Sequence, residues 1–597
     1  MAQEIIKKEV LAVAIDFGTT FSGLSYMPVG LNEQFSQLDN WPGATGKLYK
    51  VPTILSYFLD LVTQKYLPQA FGFAAENAPP AHRCALFKMF LNVSEDERET
   101  RRRSGMPDPA KRPTWENLGK TADDVIRDFL QLLYDHMATT FNEEGLRSRD
   151  MDYNVLFTVP AQFEVLEVEK FKSIVKSTKF GQHIVSVSLR EPEAAILYTI
   201  NHGVRSLMPR GSCIVLCDAG GGTVDIASYV VTTQMPRTKI EQVNIVTGRP
   251  CGSMNIDLAF KRFLFEECID QEWRTYYQTP DGMVHLQRMC KLFLERKEAF
   301  DNAASTPTLM IQVSPPNLVG ANIKDGYLKI TRSKMCKFFE VSVNGTLECL
   351  RDHVERCFRD GYTVKSIFLV GGLGSSKYLH QKVKEYASVF PGEIEVIKPR
   401  DAEFAVVRGA IESHQQSLLG GDDPITLRLC PMSYGIRVSE PWDPNKHDFH
   451  LDAQFFNPRT RKLMAKNQVN WLIRKGEKIH GKRVAEVKEI FQRNFEKSPD
   501  VWKDCIVMCA LDNPPTRVTK DVKPACCLIS DMTGLPTEMF EKRKSIEKKS
   551  WGRRKVFYNC TFDIVMKIGL TDIEFQLWFK NKLRSDLLKT SWGELIL

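Results

Sequence analysis

Two short segments carry the residue types that hold phosphate. In the first, AIDFGTTFSGLSY, Asp16 is followed by Gly18, Thr19 and Thr20; in the second, VLCDAGGGTVDIASY, Asp218 is followed by Gly220, Gly221, Gly222, Thr223 and Asp225. Glycines let a backbone turn bring its N–H groups close to an anion, and threonine hydroxyls add donors. An aspartate beside them supplies the oxygen ligand that Mg²⁺ on the β and γ phosphates of a nucleotide needs, directly or through water. Neither segment is a Walker loop, because GxxxxGK[ST] is absent and each segment continues as a strand instead of a helix. A lone triple glycine reads equally well as a structural turn. Two Asp-Gly-Thr loops facing each other would grip one nucleotide.

Such loops need strands to carry them. Four apolar, β-branched runs stop at glycine or proline: VLAVAIDFG at Gly18, DYNVLFTVP at Pro160, SCIVLCDAGGG at Gly222 and KSIFLVGGLG at Gly374. That is where the open end of a sheet places binding loops. Amphipathic stretches lie between them; at 121–137, Val125, Ile126, Phe129, Leu132, Leu133 and Met137 recur at helical spacing with Asp and Arg opposite, a core stripe. The alternation implies α/β layers over the first 415 residues. Gly, Asp and Pro cluster in SLLGGDDP at 417–424, and short strand-like runs follow (ITLRLC, SYGIRV, CIVMCAL and 556–579). The expected division is an α/β domain at 1–415, a linker at 416–424 and a mostly β domain at 425–597.

At 597 residues the chain exceeds one ordinary domain, and 43% hydrophobic with 26% charged residues is the balance of a globular protein. MAQEIIKKEV lacks the apolar core of a secretory signal, so a secreted role is not expected, and no apolar run is long enough for a membrane span. Fifteen scattered cysteines without a CxxC read as reduced, mostly buried thiols of an intracellular protein, cytoplasmic or nuclear. The net charge of +8 gathers partly in KRKSIEKKSWGRRK at 542–555, and Arg101, Arg102 and Arg103 form a smaller tract. Both are expected to be solvated loops, and nucleic acid is not expected as a partner.

With these residues in hand a resemblance becomes specific. DFGTT and DAGGGTVD resemble the two phosphate segments of the actin, hexokinase and 70-kDa heat-shock superfamily, and VGGLGSSKYLHQKV from Val370 resembles its adenosine segment. TVPAQF and REPEAAILY are similar to segments of the 70-kDa heat-shock proteins in particular, and RDAEFAVVRGAI resembles the second connecting segment. The nearest branch is the divergent twelve-type heat-shock proteins and their fungal relatives. The resemblance implies an actin-like ATPase domain of two ribonuclease H-like lobes, with ATP or ADP and Mg²⁺ as cofactors. Asp16 and Asp218 would hold the Mg²⁺ water shell, and Gly18, Thr20, Gly220, Gly221 and Gly222 would cradle the phosphates. Thr19 and Thr223 would bond oxygens near the γ position. Glu191 would be the acidic group beside the attacking water; a helix N-terminal carboxylate is the other reading. Lys88, in LFKMFL, would reach the γ phosphate, unless it is an exposed lysine on a short helix.

Departures bear on the base. The family's Gly-Gly-Glu reads Cys251-Gly252-Ser253-Met254-Asn255, which keeps Gly252 alone, and its Glu-x-x-Lys-Arg clamp reads Leu294-x-x-Lys297-Glu298, or puts Glu295 one place out of register. After Gly371, Gly372 and Gly374 the stacking arginine is absent and Ser375 stands near its place. Phosphate chemistry is therefore expected to be intact, with lower affinity or relaxed base choice. PMSYGIRV, WLIRKGEKI and the stretch 558–579 resemble parts of the family's peptide-binding β domain, while the residues after 579 are too few for its helical lid and EEVD is missing. The implied function is a weak ATPase whose nucleotide state regulates binding of protein clients or a dedicated partner. The alternatives are a nucleotide-sensing scaffold with little hydrolysis and, less favoured by TVPAQF and REPEAA, a small-molecule kinase.

Overall fold

A computed structural model describes residues 10–30, 34–91, 114–146, 152–202, 208–301, 308–390, 392–457, 459–480, 485–497, 500–548, 554–569, 573–585 and 591–592. The tract at Arg101, Arg102 and Arg103 lies outside the described residues. The chain divides into two compact units, Met1–Phe163 with Lys170–Pro424, and Glu164–Glu169 with Ile425–Leu597.

In the first unit one strand plan occurs twice. Val10–Asp16 pairs antiparallel with Phe21–Pro28, which pairs antiparallel with Ser36–Gln37; on its other side Val10–Asp16 runs parallel to Asp152–Val159, and that to Ile184–Arg190. The second sheet repeats the plan. Cys213–Ala219 pairs antiparallel with Val224–Thr233, itself antiparallel to Lys239–Arg249, and runs parallel to Val364–Val370, which pairs with Glu395–Ile397. The register sets Asp16 opposite Gly23 and Asp218 opposite Asp225, so each aspartate closes its strand at the head of a hairpin. All of Cys213–Ala219 and all but the first residue of Val10–Asp16 are buried, which explains the continuous apolar runs.

Parallel neighbours need crossover helices. Ala122–Glu143 supplies the first, longer than 121–137 because Thr140 and Phe141 extend its buried stripe. Thr121 caps it: Asp124 N–H donates to Thr121 Oγ1 at 3.2 Å and Thr121 N–H to Asp124 Oδ2 at 2.9 Å. In the second sheet's core, Phe260 of Met254–Phe263 stacks on Phe293 of Pro280–Glu298 with centroids 4.1 Å apart. Phe338 of the 28-residue helix Arg332–Arg359 packs edge-on against both rings.

That long helix also buries His353, which bridges Ser228 Oγ at 2.8 Å and Thr247 Oγ1 at 2.9 Å. Burial, with Arg356 adding to it, pushes the His353 pKa from 6.5 down to about 3. Below pH 6.5 the unfolded chain therefore takes up a proton that the folded chain refuses, and stability is lost as pH falls toward about 3. The expected slope is about 1.4 kcal/mol per pH unit from this group. Urea unfolding of the intact chain and of His353→Gln at pH 7, 6 and 5 checks it: the variant should be less stable at pH 7 and lose stability less steeply. Parallel pH dependences would refute the assignment.

From Ile425 onward the described part of the second unit is built mostly of strands. Ser433–Pro441 lies between Lys462–Ile473 and Val501–Cys509, and Val501–Cys509 pairs on with Val522–Asp531. In a further sheet Ala485–Phe495 pairs with Arg554–Ile568, which forms a hairpin with Ile573–Phe579. Tyr434, Ile506 and Leu528 from the one sheet share a core with Phe562, Ile564 and Leu577 from the other.

Two expectations need correction. The basic tract is not a loop over its described residues: Glu541–Lys548 is a strand antiparallel to Arg554–Ile568, with Lys542 opposite Tyr558 and Lys544 opposite Val556. Residues 541–544 are exposed, so charge and strand coexist, as on a guarded sheet edge. The segment expected as linker from 416 is still helix at its start, since Ala405–Leu418 runs on to Leu418 before Gly421 N–H closes onto Gln416 O at 2.8 Å. For Lys88 the alternative reading, an exposed lysine, is the one set aside: it lies on the short 3₁₀ turn Phe87–Phe90 and is 5% exposed. All fifteen cysteines are free thiols, none of them fully exposed.

Candidate functional site: a carboxylate-lined cavity

The two phosphate-type loops meet. A Cβ built on Gly221 would lie 2.1 Å from Thr20 Oγ1, and one on Gly222 would lie 2.9 Å from Thr19 Oγ1. The sheets therefore bring the glycines of one loop against the threonines of the other. Each loop is pinned from behind. Thr53 Oγ1 donates to Gly18 O at 2.9 Å and Thr53 N–H to Thr20 O at 2.8 Å. Gly252 N–H donates to Gly222 O at 3.1 Å, Ser253 N–H to Gly220 O at 3.1 Å and Met254 N–H to Gly221 O at 2.9 Å. Gly371, after Val364–Val370, takes φ +82° and comes so close that a Cβ would fall 2.6 Å from Asp218 Oδ1.

Around these loops lies a cavity of about 780 Å³, within the range of small-molecule and cofactor sites. Among the expected residues Asp16, Gly18, Thr19, Thr20, Lys88, Glu191, Asp218, Gly220, Gly221, Gly222, Thr223, Lys297, Gly371, Gly372 and Ser375 line it. Gly252 stands behind the wall on its hydrogen bond to Gly222, and Gly374 is buried behind Gly371 without reaching the lining.

One end of the cavity is ionic. Lys88 Nζ pairs with Glu191 Oε1 at 2.9 Å and also donates to Phe17 O; Lys50 Nζ pairs with Asp16 Oδ2 at 3.1 Å. Glu191 opens the helix Glu191–His202, so it is a helix N-terminal carboxylate and a cavity group at once. Thr223 Oγ1 donates to Asp225 Oδ2 at 3.0 Å. Four carboxylates thus share a buried space with two ammonium groups. Burial, with Glu191, Asp225 and Asp16 adding to it, pushes the Asp218 carboxyl well above the usual range. Burial and then Glu191 bring Asp225 up to about 7. Burial raises Glu191 too, although Lys88 works against it. For Lys50 burial opposes the charge, but Asp16, by its charge and hydrogen bond, and Asp218 win and raise its pKa. The site has more negative charge than its own cations balance, which favours a bound cation or retained protons.

Sequence reasoning missed Lys50 and Asp257 and did not weigh Asp225 as a site group. Asp225 carried a signal, since strand alternation after Thr223 sets it opposite Asp218. Lys50 carried none; it enters because Val51–Pro52 pairs with Phe21–Pro28. Lys297 is held by Asp257, at 2.8 and 2.9 Å from its two oxygens, beside Glu298. Burial raises the Glu298 carboxyl, against Lys297 and with help from Glu403 and Asp257. No arginine lines the cavity among the described residues. Nor do any three His, Cys, Asp or Glu side chains there form a metal nest by themselves.

Over 393 residues the chain is 23% identical to heat shock 70 kDa protein 12A of Homo sapiens, covering 60% of this chain and 53% of that protein. It is a homologue of the 70-kDa heat-shock proteins. Heat shock 70 kDa protein 12B of Homo sapiens is 24% identical over 284 residues, 43% of this chain and 39% of that one, so the twelve-type branch is among its relatives. Chaperone protein HscA of Proteus mirabilis (strain HI4320) is 24% identical over 443 residues, 72% of this chain and 62% of its own length. The chain spans about half the length of the twelve-type protein it matches over 393 residues. A family model described as a domain of unknown function (DUF8568) matches residues 428–593. No helix among the described residues is long and apolar enough to cross a membrane.

Proposed function

We propose that the cavity binds ATP and ADP with Mg²⁺, and that the chain is a weak ATPase whose nucleotide state governs binding of a protein client or partner by its carboxyl-terminal part. The observation that carries the reading is the meeting of two Gly-Thr loops from two sheets of one plan across buried carboxylates and lysines. The repeated strand order supports an actin-like domain of two ribonuclease H-like lobes at 1–415, and the strands after Ile425 support a mostly β binding domain at 425–597. The donor set fits the nucleotide: backbone amides and threonine hydroxyls suit phosphate oxygens, and the excess of carboxylates suits a hydrated divalent cation.

When bound, Mg²⁺ would neutralise phosphate charge, and Asp16 and Asp218 would hold it through its waters. The chain's own part is positioning. Lys88 holds Glu191 in one place, and Glu191 in turn can orient a water and draw its proton. Thr19 and Thr20 can donate to an anion, Thr223 can do so only if its hydroxyl turns away from Asp225, and Lys50 keeps Asp16 fixed. Little covalent participation is needed for phosphoryl transfer to water, so such placement is most of what a protein contributes.

Phosphate release by the full chain, measured with MgATP and with and without an unfolded peptide, tests the reading. Slow release that peptide stimulates and Asp16→Asn lowers at least about tenfold is expected; that factor equals about 1.4 kcal/mol. Tight MgATP binding with no release would favour the nucleotide-sensing scaffold instead. One observation speaks for that second reading: Glu298 and Glu403, not arginines, line the cavity beside Lys297. Absence of MgATP binding would sink both.

A further inference from the structure

Far from the loops, Cys213 and Cys357 touch. Cys213 is the first residue of Cys213–Ala219, the strand whose penultimate residue is Asp218, and Cys357 lies in the last turn of Arg332–Arg359. Their sulfurs are 3.5 Å apart and both side chains are fully buried. The pair is polarised. Asn244 Nδ2 stands 3.2 Å from Cys357 Sγ and 3.2 Å from His353 O, and because that carbonyl can only accept, the amide presents N–H to both. The amide thus donates to Cys357 Sγ, and either sulfur can be the donor in the hydrogen bond between the two thiols. The Cys213 hydrogen bond, then Ser228 and Asn244, outweigh burial and hold the Cys357 thiol below its ordinary value, while Cys213 is pushed well above its own. Two sulfurs in contact, one of them with its thiol held below its ordinary value, have the arrangement from which a disulfide can form once an oxidant reaches them.

We propose that Cys213 and Cys357 form a reversible intramolecular disulfide under hydroperoxide, making this pair a redox switch inside the second sheet's half of the first unit. The Cys357 thiolate attacks one peroxide oxygen; the O–O bond breaks and the other oxygen leaves as hydroxide, which takes the proton that Cys357 gave up. Cys213 sulfur then attacks the resulting sulfenic sulfur, and its oxygen leaves with the Cys213 proton as a second water. Two thiols are oxidised by two electrons and one peroxide is reduced to two waters.

The bond would draw the sulfurs about 1.5 Å closer, since a disulfide is about 2.05 Å long. The end of the long helix is thereby fastened to the strand. The other end of the same helix meets the cavity, where Phe339 lines it and Ser342 Oγ donates to Gly252 O at 2.9 Å. Both thiols are buried, so oxidation must follow local opening of the helix end and should quicken in low urea.

The test uses the full chain and hydrogen peroxide, with free thiols then trapped and the digest examined by mass spectrometry without reduction. A peptide pair joined through Cys213 and Cys357, restored to two thiols by dithiothreitol, is expected. In Cys213→Ser the resolving thiol is gone, and a dimedone adduct on Cys357 is expected. Recovery of Cys213 and Cys357 as thiols while other cysteines oxidise, or joining only after global unfolding, overturns the proposal. The bridged peptide in the unsubstituted chain decides even if Cys213→Ser does not fold. This readout is thiol state, so it stands or falls separately from the nucleotide reading.

Discussion

Lys88→Ala is expected to reduce phosphate release by at least about a hundredfold, equal to about 2.7 kcal/mol of barrier, while MgATP binding falls much less. Lys88 is the group that fixes Glu191, at 2.9 Å, and it is 5% exposed. Removing it also leaves a buried carboxyl without its counter-charge. Breaking such a pair costs about 3 to 5 kcal/mol when the remaining group stays charged. Glu191 already titrates high because of burial, so it would take up a proton in the variant. A protonated Glu191 cannot draw a proton from water, and the activity loss and the stability loss then share one cause. The double variant Lys88→Ala/Glu191→Gln separates them. It should recover thermal stability, since no charge is buried alone, and should recover no phosphate release. If the double variant releases phosphate at the rate of the unsubstituted chain, Lys88 and Glu191 do not serve hydrolysis at all.

What the sequence shows of this site follows the range over which its residues act. Asp16 with Gly18, Thr19 and Thr20, and Asp218 with the triple glycine and Thr223, are each written within a few residues at a strand end, and the geometry they need is local. They are legible for that reason. Lys50 and Asp257 reach the cavity only through tertiary closure, by the pairing of Val51–Pro52 and by the helix Met254–Phe263. Nothing near either residue in the sequence marks it. Lys297 was legible as a cation, yet its partner was not, and the partner decides whether it is free to meet a ligand. Charge also misled in the tract 542–555, where its lysines and arginines suggested a solvated loop. A strand needs only that its backbone be paired, and Arg554–Ile568 does that while the side chains of 541–544 stay in water. The helix at 405–418 outran its expected end because Gln415, Gln416 and Ser417 are acceptable helix residues before the glycines stop it.

Gly221→Ala tests the meeting of the loops directly and should lower MgATP affinity about a hundredfold or more, equal to about 2.7 kcal/mol. The added methyl would lie 2.1 Å from Thr20 Oγ1, 2.7 Å from Thr20 Cγ2 and 2.9 Å from Thr20 Cβ. Turning the threonine side chain can move the first two atoms but not the third, whose place the backbone sets. The backbones themselves must then part. Neither moves freely, because Thr53 N–H holds Thr20 O at 2.8 Å and Met254 N–H holds Gly221 O at 2.9 Å. Overpacking of this kind typically costs about 1 to 3 kcal/mol of stability. A nucleotide gripped from both sides loses more, because parting the loops weakens every contact that one of them makes. Gly46→Ala is the matched control, since a Cβ there meets nothing within 4 Å. Adding Thr20→Gly to Gly221→Ala removes the clash and should restore stability, with affinity recovering only in part because the Thr20 hydroxyl is gone. Calorimetric titration of MgATP into the variants and their thermal unfolding decide the matter: an affinity unchanged in Gly221→Ala would mean that the two loops do not hold one ligand between them.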